Sequence, residues 1–322
     1  MVDTETLDTW RRTHYSKMVA PDLDGVEVTI FGWVEDIRDI GNLVFVTLKD
    51  REGLVQVTAN PKHTDPEVLQ KLKSLGRQFA IGIKGVAAKR DEAPRGVEII
   101  PRQVKVLAQA VHPLPLDPTG RSPAELDVRL DARILDLRRP EPQAIFKIRH
   151  QIVTLIHQFL SSRGYIEIHT PKIIAAAAEG GASLFPVEYF EEKAYLAQSP
   201  ELYKEELISV FEKVYEIGTF FRAEESHTRR HLNEFISVDV EEAFVTVRDV
   251  MNLQEELLAY VLKNLEAKCP SQLETLKVSL PQVNLPMKRY TYSEIVDQLQ
   301  KSGFKIEWGE DLSTPACRAL GE

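Results

Sequence analysis

The sequence predicts an α+β protein in which a small all-β domain precedes a larger domain, built on an antiparallel sheet with flanking helices. Up to about residue 110, apolar residues alternate as in strands, whereas from residue 143 their spacing becomes helical. The intervening stretch 112–142 contains six prolines, a density that disfavours regular helix and marks a hinge. We therefore predict domains over 1–111 and 143–322, joined by a hinge at 112–142.

The first domain shows the element order of a known barrel. Three strand-like runs lie between residues 26 and 59, and the helical stretch DPEVLQKLKSLG follows them. In that helix we expect Asp65 as the N-cap, Pro66 as the first helical residue and Gly76 as the C-cap. Two more strand-like runs follow. Three strands, a helix and two strands is the order of the five-stranded OB barrel, which commonly binds oligonucleotides. A generic small barrel is the alternative.

Composition limits the class of protein. Apolar residues make up 43% of the chain and charged residues 28%, as in ordinary globular proteins, and no apolar run is long enough to span a membrane. The net charge of −9 argues against non-specific coating of nucleic acid, but permits one local basic face. The two cysteines, Cys269 and Cys317, lack CxxC spacing, which argues against a disulfide framework and is typical of the cytoplasm.

The second domain begins with a predicted amphipathic helix that runs from Gln143 and ends at Gly164. The segment YIEIHTPKII then predicts a strand interrupted by Pro171, which places it at a sheet edge, where contact with another subunit is possible. A later helix is expected at about 247–265, and a short one within SEIVDQLQKSG.

Residues 214–244, VYEIGTFFRAEESHTRRHLNEFISVDVEEAF, carry the richest chemistry. Both flanks predict strands around a polar loop, a long antiparallel hairpin in outline. Arg222 ends the first strand, Arg230 and His231 lie at the return of the loop, and Phe235 follows. Cations and an aromatic ring suit the phosphates and the base of a nucleoside triphosphate. A charged surface hairpin is the alternative. The histidine spacing suits a helix and not a loop, so we predict no metal site here.

Two motifs identify a family. FRAEESHTRRHLNEF resembles motif 2 of the class II aminoacyl-tRNA synthetases, and RGYIEIHTPKII resembles their motif 1, whose proline, here Pro171, marks the dimer interface. A barrel preceding such a domain is the layout of the aspartyl, asparaginyl and lysyl group. The segments LPLDPTG, RLDARILDLRR, AEGGASLFPVEYF and AQSPELYKE resemble archaeal-type aspartyl-tRNA synthetases, and the similarity runs from about residue 14 to the end.

The resemblance implies an aspartate--tRNA ligase. Such an enzyme activates L-aspartate with ATP and Mg²⁺ to aspartyl-adenylate and transfers it to tRNA(Asp), possibly with tRNA(Asn) as a second substrate, and it works as a cytoplasmic homodimer. Two rivals stay open. One is an asparaginyl-tRNA synthetase or an asparagine synthetase paralogue, and the other is a non-catalytic tRNA-binding protein of synthetase type.

The amino-acid site is predicted around SPELYKE. Here Ser199 is a good N-cap and Pro200 a good first helical residue, so Glu201 and Lys204 would share a face of the first turn. By itself Lys204 reads as a solvated helix residue. The resemblance instead implies that Lys204 recognises the aspartate side chain, since asparagine would leave its ammonium unmatched. Two further positions are implied at the aspartate amine, Glu179 in a mobile Gly-Gly loop and Asp239.

The resemblance also implies the remaining contacts. Arg222 would contact the substrate carboxylate and the α-phosphate, and Phe235 would stack on adenine. On the barrel, Phe45 would stack on an anticodon base and Gln56 would hydrogen-bond its edge, although a core Phe is the alternative for Phe45. The other positions are Glu224, Arg230, His231 and Leu232 at the ATP site, Arg38 at the anticodon, and Glu35 and Pro94, which favour relaxed choice between the two tRNAs.

The sequence departs from the family pattern in three places. No third motif, and none of the acidic metal ligands expected ahead of it, precedes Glu322, so the resemblance implies that this chain alone holds no metal and does not aminoacylate. A gene fragment and a split subunit are both open. Glu201 stands where the family usually has Gln, and the segment from Lys204 to Val214 is one residue short.

Overall fold

The structure is a computed structural model that describes residues 3–175, 184–225 and 232–321. It divides into two compact units, Met1–Arg139 and Pro140–Glu322. Most of the proline-rich stretch thus belongs to the first unit. Within the described residues no helix is long and apolar enough to cross a membrane.

The first unit contains a closed barrel, as the sequence predicts. Its strands hydrogen-bond in the order β1-β2-β3-β5-β4, and alternate side chains fill the interior with Val, Ile and Leu. The order of elements along the chain is also as predicted and confirms the five-stranded OB arrangement. The elements are β1 (Glu27–Ile40), β2 (Leu43–Lys49), β3 (Leu54–Ala59), α1 (Pro66–Lys73), β4 (Ala80–Lys89) and β5 (Val97–Ala108).

Of the two predicted ends of α1, the structure confirms the first and corrects the second. The Asp65 side chain accepts a hydrogen bond of 2.8 Å from the Glu67 amide, which confirms it as the N-cap. The prediction of Gly76 as the C-cap is wrong, because the helix ends at Lys73 and Ser74 is the C-cap. Gly76 is needed for packing instead, since an added Cβ would lie 2.7 Å from the Phe79 ring.

Two short helices lie in the proline-rich stretch, where the sequence predicted none: α2 (Leu126–Asp131) and α3 (Arg133–Asp136). The prolines flank this segment and do not interrupt it. The fully buried carboxylate of Asp136 accepts from Arg129 at 2.7 Å and Arg133 at 2.5 Å. The segment is therefore an ion-paired surface in which Asp136 is buried beneath the partly exposed side chains of Arg129 and Arg133.

The second unit contains two small sheets and several helices. In the first sheet the order is β11-β10-β6, and in the second it is β7-β9-β8. Pro171 is exposed and separates two edge strands, as predicted. The elements are α4 (Pro140–Ser162), β6 (Ile166–Glu167), β7 (Ile173–Ile174), β8 (Pro186–Tyr189), β9 (Glu192–Leu196), α5 (Glu201–Phe211), β10 (Lys213–Phe221), β11 (Glu234–Glu242), α6 (Val247–Lys268), α7 (Pro270–Leu276), α8 (Tyr292–Lys301) and α9 (Thr314–Gly321).

Helix α4 begins three residues before the predicted start at Gln143, because Pro140 and Pro142 fall in the first turn, where no intrahelical N–H is lost. The buried face of α4 packs with α6 against one side of the β10–β11 hairpin, through Tyr215 and the half-buried Val240. The opposite side of the hairpin is left to carry polar groups.

Candidate functional site

The β10–β11 hairpin brings the predicted catalytic side chains to one face. Its antiparallel register places Glu216 opposite Asp239 and Phe220 opposite Phe235. Directly opposite residues in an antiparallel pair point to the same face, and so do residues two apart along a strand. Arg222 follows Phe220 by two positions, so this face carries carboxylates at one end and a guanidinium with two aromatic rings at the other.

Lys204 is buried beside this face. Only 7% of the residue is exposed, and its ammonium lies 3.5 Å from Asp239 Oδ1 and 3.5 Å from Glu241 Oε2. The reading of Lys204 as a solvated helix residue is therefore wrong. An ammonium has three N–H donors, so Lys204 can donate to a third anionic group in addition to these two carboxylates.

The two carboxylate oxygens of Asp239 have different surroundings. Its Oδ1 faces Lys204, whereas its Oδ2 is buried and has no hydrogen-bond partner among the residues that the structure describes. An unsatisfied buried carboxylate oxygen is costly and commonly marks a ligand position. A ligand ammonium is a donor of suitable charge.

Helix α5 presents Lys204 differently from the sequence prediction. Its N-cap is Pro200 rather than Ser199, although the Ser199 hydroxyl still accepts from the Glu201 amide at 3.3 Å. The first turn therefore starts one residue later than predicted. Glu201 is exposed while Lys204 is buried, so the two side chains do not occupy one environment. The structure thus brings Lys204 and Asp239 together, but not Glu201.

Arg222 lies just beyond the end of β10, and its amide still donates to the Asn233 carbonyl at 3.0 Å. Its guanidinium carbon lies 5.6 Å from the centroid of the Phe235 ring, within cation–π range. In the orientation that satisfies both groups, the Asn233 amide nitrogen donates to the Arg222 carbonyl at 3.2 Å and to the Glu224 carbonyl at 2.9 Å. These bonds tie the strand ends together beside Arg222. Leu232 is 69% exposed.

Three predicted positions, Glu179, Arg230 and His231, lie outside the described residues. Within the described ranges no group of three or more His, Cys, Asp or Glu residues could hold a metal ion.

A second candidate site lies on the barrel. A cavity of about 560 Å³ contains all three predicted anticodon positions, Arg38, Phe45 and Gln56. Phe45 is half-buried in its wall rather than part of the core, and the Arg38 guanidinium lies 5.6 Å from its ring centroid. The other lining residues are Ile40, Leu43, Thr58, Asn60, His63, Arg90, Glu92, Ala93, Glu98 and Ile100.

Glu98 is the member of this cavity that sequence reasoning missed. It is 3% exposed and accepts hydrogen bonds from Gln56 Nε2 at 3.3 Å, Thr58 Oγ1 at 2.6 Å and Arg90 Nε at 3.2 Å. Its carboxylate thereby fixes the orientation of the Gln56 amide. A signal was present, since Glu98 stands within the apolar strand run VEII, where a charged residue requires partners.

Glu35 and Pro94 are not among the residues that line this cavity. Glu35 lies at a β-bulge in β1, is 7% exposed, and pairs with Lys49 at 3.2 Å. Pro94 is exposed in the turn Pro94–Gly96 between β4 and β5, where the sequence placed it, next to the lining residue Ala93.

Comparisons with known proteins agree with the two units. Residues 125–322 match the family described as tRNA synthetases class II (D, K and N), and residues 28–107 match the OB-fold nucleic acid binding domain. An aspartate--tRNA(Asp/Asn) ligase of Methanopyrus kandleri is 52% identical over 310 residues, which are 96% of this chain and 72% of that protein. The corresponding ligase of Archaeoglobus fulgidus is 48% identical, again over 96% and 72%.

Solved structures show the same fold. Asparaginyl-tRNA synthetase from Pyrococcus horikoshii, complexed with asparaginyl-adenylate, superposes with a TM-score of 0.89 at 33% identity, covering 97% of this chain and 72% of that one. An aspartyl-tRNA synthetase from Entamoeba histolytica gives a TM-score of 0.82 at 27% identity, over 99% and 70%. The fold alone thus does not separate the two amino-acid specificities.

Proposed function

This chain belongs to the class II tRNA synthetases (D, K and N), and we propose that within this family it is an aspartate--tRNA ligase. The observation that carries the proposal is the buried ammonium of Lys204, held beside the sheet face that carries Arg222. A buried cation favours the carboxylate of aspartate over the neutral amide of asparagine. The relatives at 45–52% identity carry the same activity in their names.

The charges of the site match those of free aspartate. The β-carboxylate pairs with Lys204, while the α-ammonium donates to the unpartnered Asp239 Oδ2. Both ends of the zwitterion thereby find opposite charges, which offsets the loss of hydration on entering a buried site. Lys204, Asp239 and Glu241 together carry a formal charge of −1, which the α-ammonium of the bound aspartate offsets.

The reaction requires no protein nucleophile. The α-carboxylate of aspartate attacks the α-phosphorus of ATP, and pyrophosphate leaves. The terminal ribose hydroxyl of the tRNA then attacks the carbonyl carbon of aspartyl-adenylate, which forms the aspartyl ester and releases AMP. Arg222 stabilises the charge that develops on the phosphorus oxygens, and Phe235, 5.6 Å from its guanidinium, stacks on adenine. When bound, Mg²⁺ would supply further positive charge at the ATP phosphates.

The tRNA partner is proposed from the barrel cavity. Phe45 stacks on an anticodon base, and Gln56, oriented by Glu98, hydrogen-bonds its edge. We propose tRNA(Asp) and tRNA(Asn) as alternative substrates, in line with the names of the archaeal relatives. The proposal also includes a cytoplasmic homodimer that forms around the exposed Pro171.

The amino-acid choice is tested with two stable adenylate analogues, aspartyl- and asparaginyl-sulfamoyl adenosine. Binding to the full chain is measured by isothermal titration calorimetry, a measurement that does not require turnover. We expect the aspartyl analogue to bind about tenfold to 100-fold more tightly, the value of a charge-assisted hydrogen bond of about 1.5–3 kcal/mol. Equal binding, tighter binding of the asparaginyl analogue, or no binding of either would contradict the proposed function.

The anticodon cavity is tested with Phe45→Ala. Loss of one base stack is expected to weaken binding of a tRNA(Asp) transcript by about 1–3 kcal/mol, measured by filter binding at fixed salt. Leu54→Ala, which truncates an exposed side chain outside the cavity, is the matched control and should change binding less than twofold, equivalent to about 0.4 kcal/mol. Equal affinities of the two variants would contradict a role for this cavity.

A further inference from the structure

A buried carboxylate joins the Pro171 segment to the candidate active-site hairpin. Glu216, in β10, is 1% exposed, and its oxygens accept from the Thr170 amide at 3.3 and 3.4 Å, from Thr170 Oγ1 at 2.7 Å and from Lys172 Nζ at 2.5 Å. An added Cβ at Gly218 would lie 2.8 Å from a Glu216 oxygen, so the glycine leaves room for the carboxylate. Thr170 and Lys172, which flank Pro171, therefore both bind the carboxylate of Glu216.

Lys172 also contacts an aromatic ring of the hairpin. Lys172 Nζ lies 3.8 Å from the centroid of the Phe220 ring, which is fully buried. Phe220 is directly opposite Phe235 in the hairpin register, and Phe235 is the ring beside Arg222. The side-chain contacts thus run from Glu216 through Lys172 to the Phe220 ring, and the pairing of β10 with β11 places Phe220 opposite Phe235, the ring that we assign to adenine.

A second route runs through the backbone. The Ala197 amide donates to the Lys172 carbonyl at 3.0 Å, and the Phe221 amide donates to the Ala197 carbonyl at 2.9 Å. Phe221 directly precedes Arg222. The segment around Pro171 is therefore bonded to the end of β10 by side chains and by main chain, and a shift of this segment would displace both Phe220 and Arg222.

We propose that Glu216 and Lys172 are positioning residues that set the geometry of the adenylate site from the Pro171 segment. This inference rests on the proposed function and adds two residues to it. Neither side chain is assigned a contact with the adenylate, because the Glu216 carboxylate is already bound by Thr170 and Lys172. They act through the Phe220 ring and the paired strands β10 and β11, which carry Arg222 and Phe235. A buried ion pair is often no more stabilising than apolar residues of the same size, so its value here lies in orientation.

The test compares single substitutions within and outside this pair. Glu216→Gln and Lys172→Met are expected to weaken aspartyl-sulfamoyl adenosine about tenfold, whereas Lys172→Arg, which retains the cation, should recover most of the affinity. The matched control is Lys213→Met, which breaks the 2.5 Å pair with Glu242 at the other end of the same hairpin and on its opposite face. The control should bind the analogue as the unmodified chain does.

A second measurement needs no ligand. Hydrogen–deuterium exchange followed by mass spectrometry should show faster exchange of peptides covering 219–222 and 234–236 in Lys172→Met, but not in Lys213→Met. If affinity and exchange change by the same amount in Lys172→Met and Lys213→Met, the effect is general destabilisation and the inference is overturned. Unchanged affinity and exchange in Lys172→Met would overturn it as well. Failure of the unmodified chain to bind the analogue would instead contradict the proposed function.

Discussion

Replacing Lys204 with methionine is expected to abolish the preference for the aspartyl over the asparaginyl analogue. The buried ammonium is the cation nearest to Asp239 and Glu241 in the described part of the site, at 3.5 Å from each. Without it, the β-carboxylate of aspartate would meet two uncompensated carboxylates. We expect aspartyl-sulfamoyl adenosine to bind about 100-fold more weakly, equivalent to about 3 kcal/mol, while the asparaginyl analogue changes far less.

The control for this prediction separates recognition from folding. Removing one partner of a buried ion pair also costs stability, of the order of 3–5 kcal/mol, so far-UV circular dichroism must show that Lys204→Met is folded. Lys204→Arg provides a folded alternative, since it retains the charge but moves it, and it should bind the aspartyl analogue at an intermediate affinity. A Lys204→Met variant that is folded and still prefers the aspartyl analogue would refute the assignment of this residue.

Replacing Arg222 with lysine is expected to weaken both analogues equally, by about tenfold to 100-fold. A guanidinium binds a phosphate-like group through two parallel hydrogen bonds, whereas an ammonium acts as a point charge. The Arg222 guanidinium also lies 5.6 Å from the Phe235 ring centroid, a cation–π contact that a shorter lysine would change. Because the sulfamoyl adenosine part is common to both analogues, the loss should not depend on the amino acid. Titration calorimetry with the two analogues measures both affinities.

We therefore expect different losses of affinity from the two substitutions. The loss in Lys204→Met depends on the amino acid of the analogue, whereas the loss in Arg222→Lys is the same for both analogues. Arg248→Lys, at the start of α6 and outside the candidate site, is the matched control for a conservative arginine change. It should leave both affinities unchanged. If Arg222→Lys weakens the binding of only one analogue, this guanidinium contacts the amino-acid side chain instead of the sulfamoyl group.

Local patterns in the sequence predicted much of the fold. The five strands and the helix of the barrel, the long hairpin, and the strand interrupted at Pro171 all appear as expected. Each of these rests on periodicity or on the fixed geometry of proline, which act over a few residues. The anticodon positions Phe45 and Gln56 fall in one cavity, because strand alternation carries both to the same side of β2 and β3.

Long-range pairing explains what the sequence could not predict. Lys204 looks solvated on a helix, and only the neighbouring strand β11 supplies the carboxylates that allow its burial. Glu98 and Glu216 are charged residues within strand runs, and each has a partner 40 or more positions away, Thr58 for Glu98 and Thr170 for Glu216. Asp136 in α3 pairs with Arg129, Arg133 and Arg139, contacts that the density of prolines in the sequence did not indicate.

The central claim is that Lys204 and Arg222 bind the two ends of one aspartyl-adenylate, and a crystal structure of the chain with aspartyl-sulfamoyl adenosine tests it most directly. We expect the β-carboxylate within about 3 Å of Lys204 Nζ, the sulfamoyl group at Arg222, and the adenine on Phe235. An analogue bound elsewhere, or bound with its carboxylate away from Lys204, would contradict the claim.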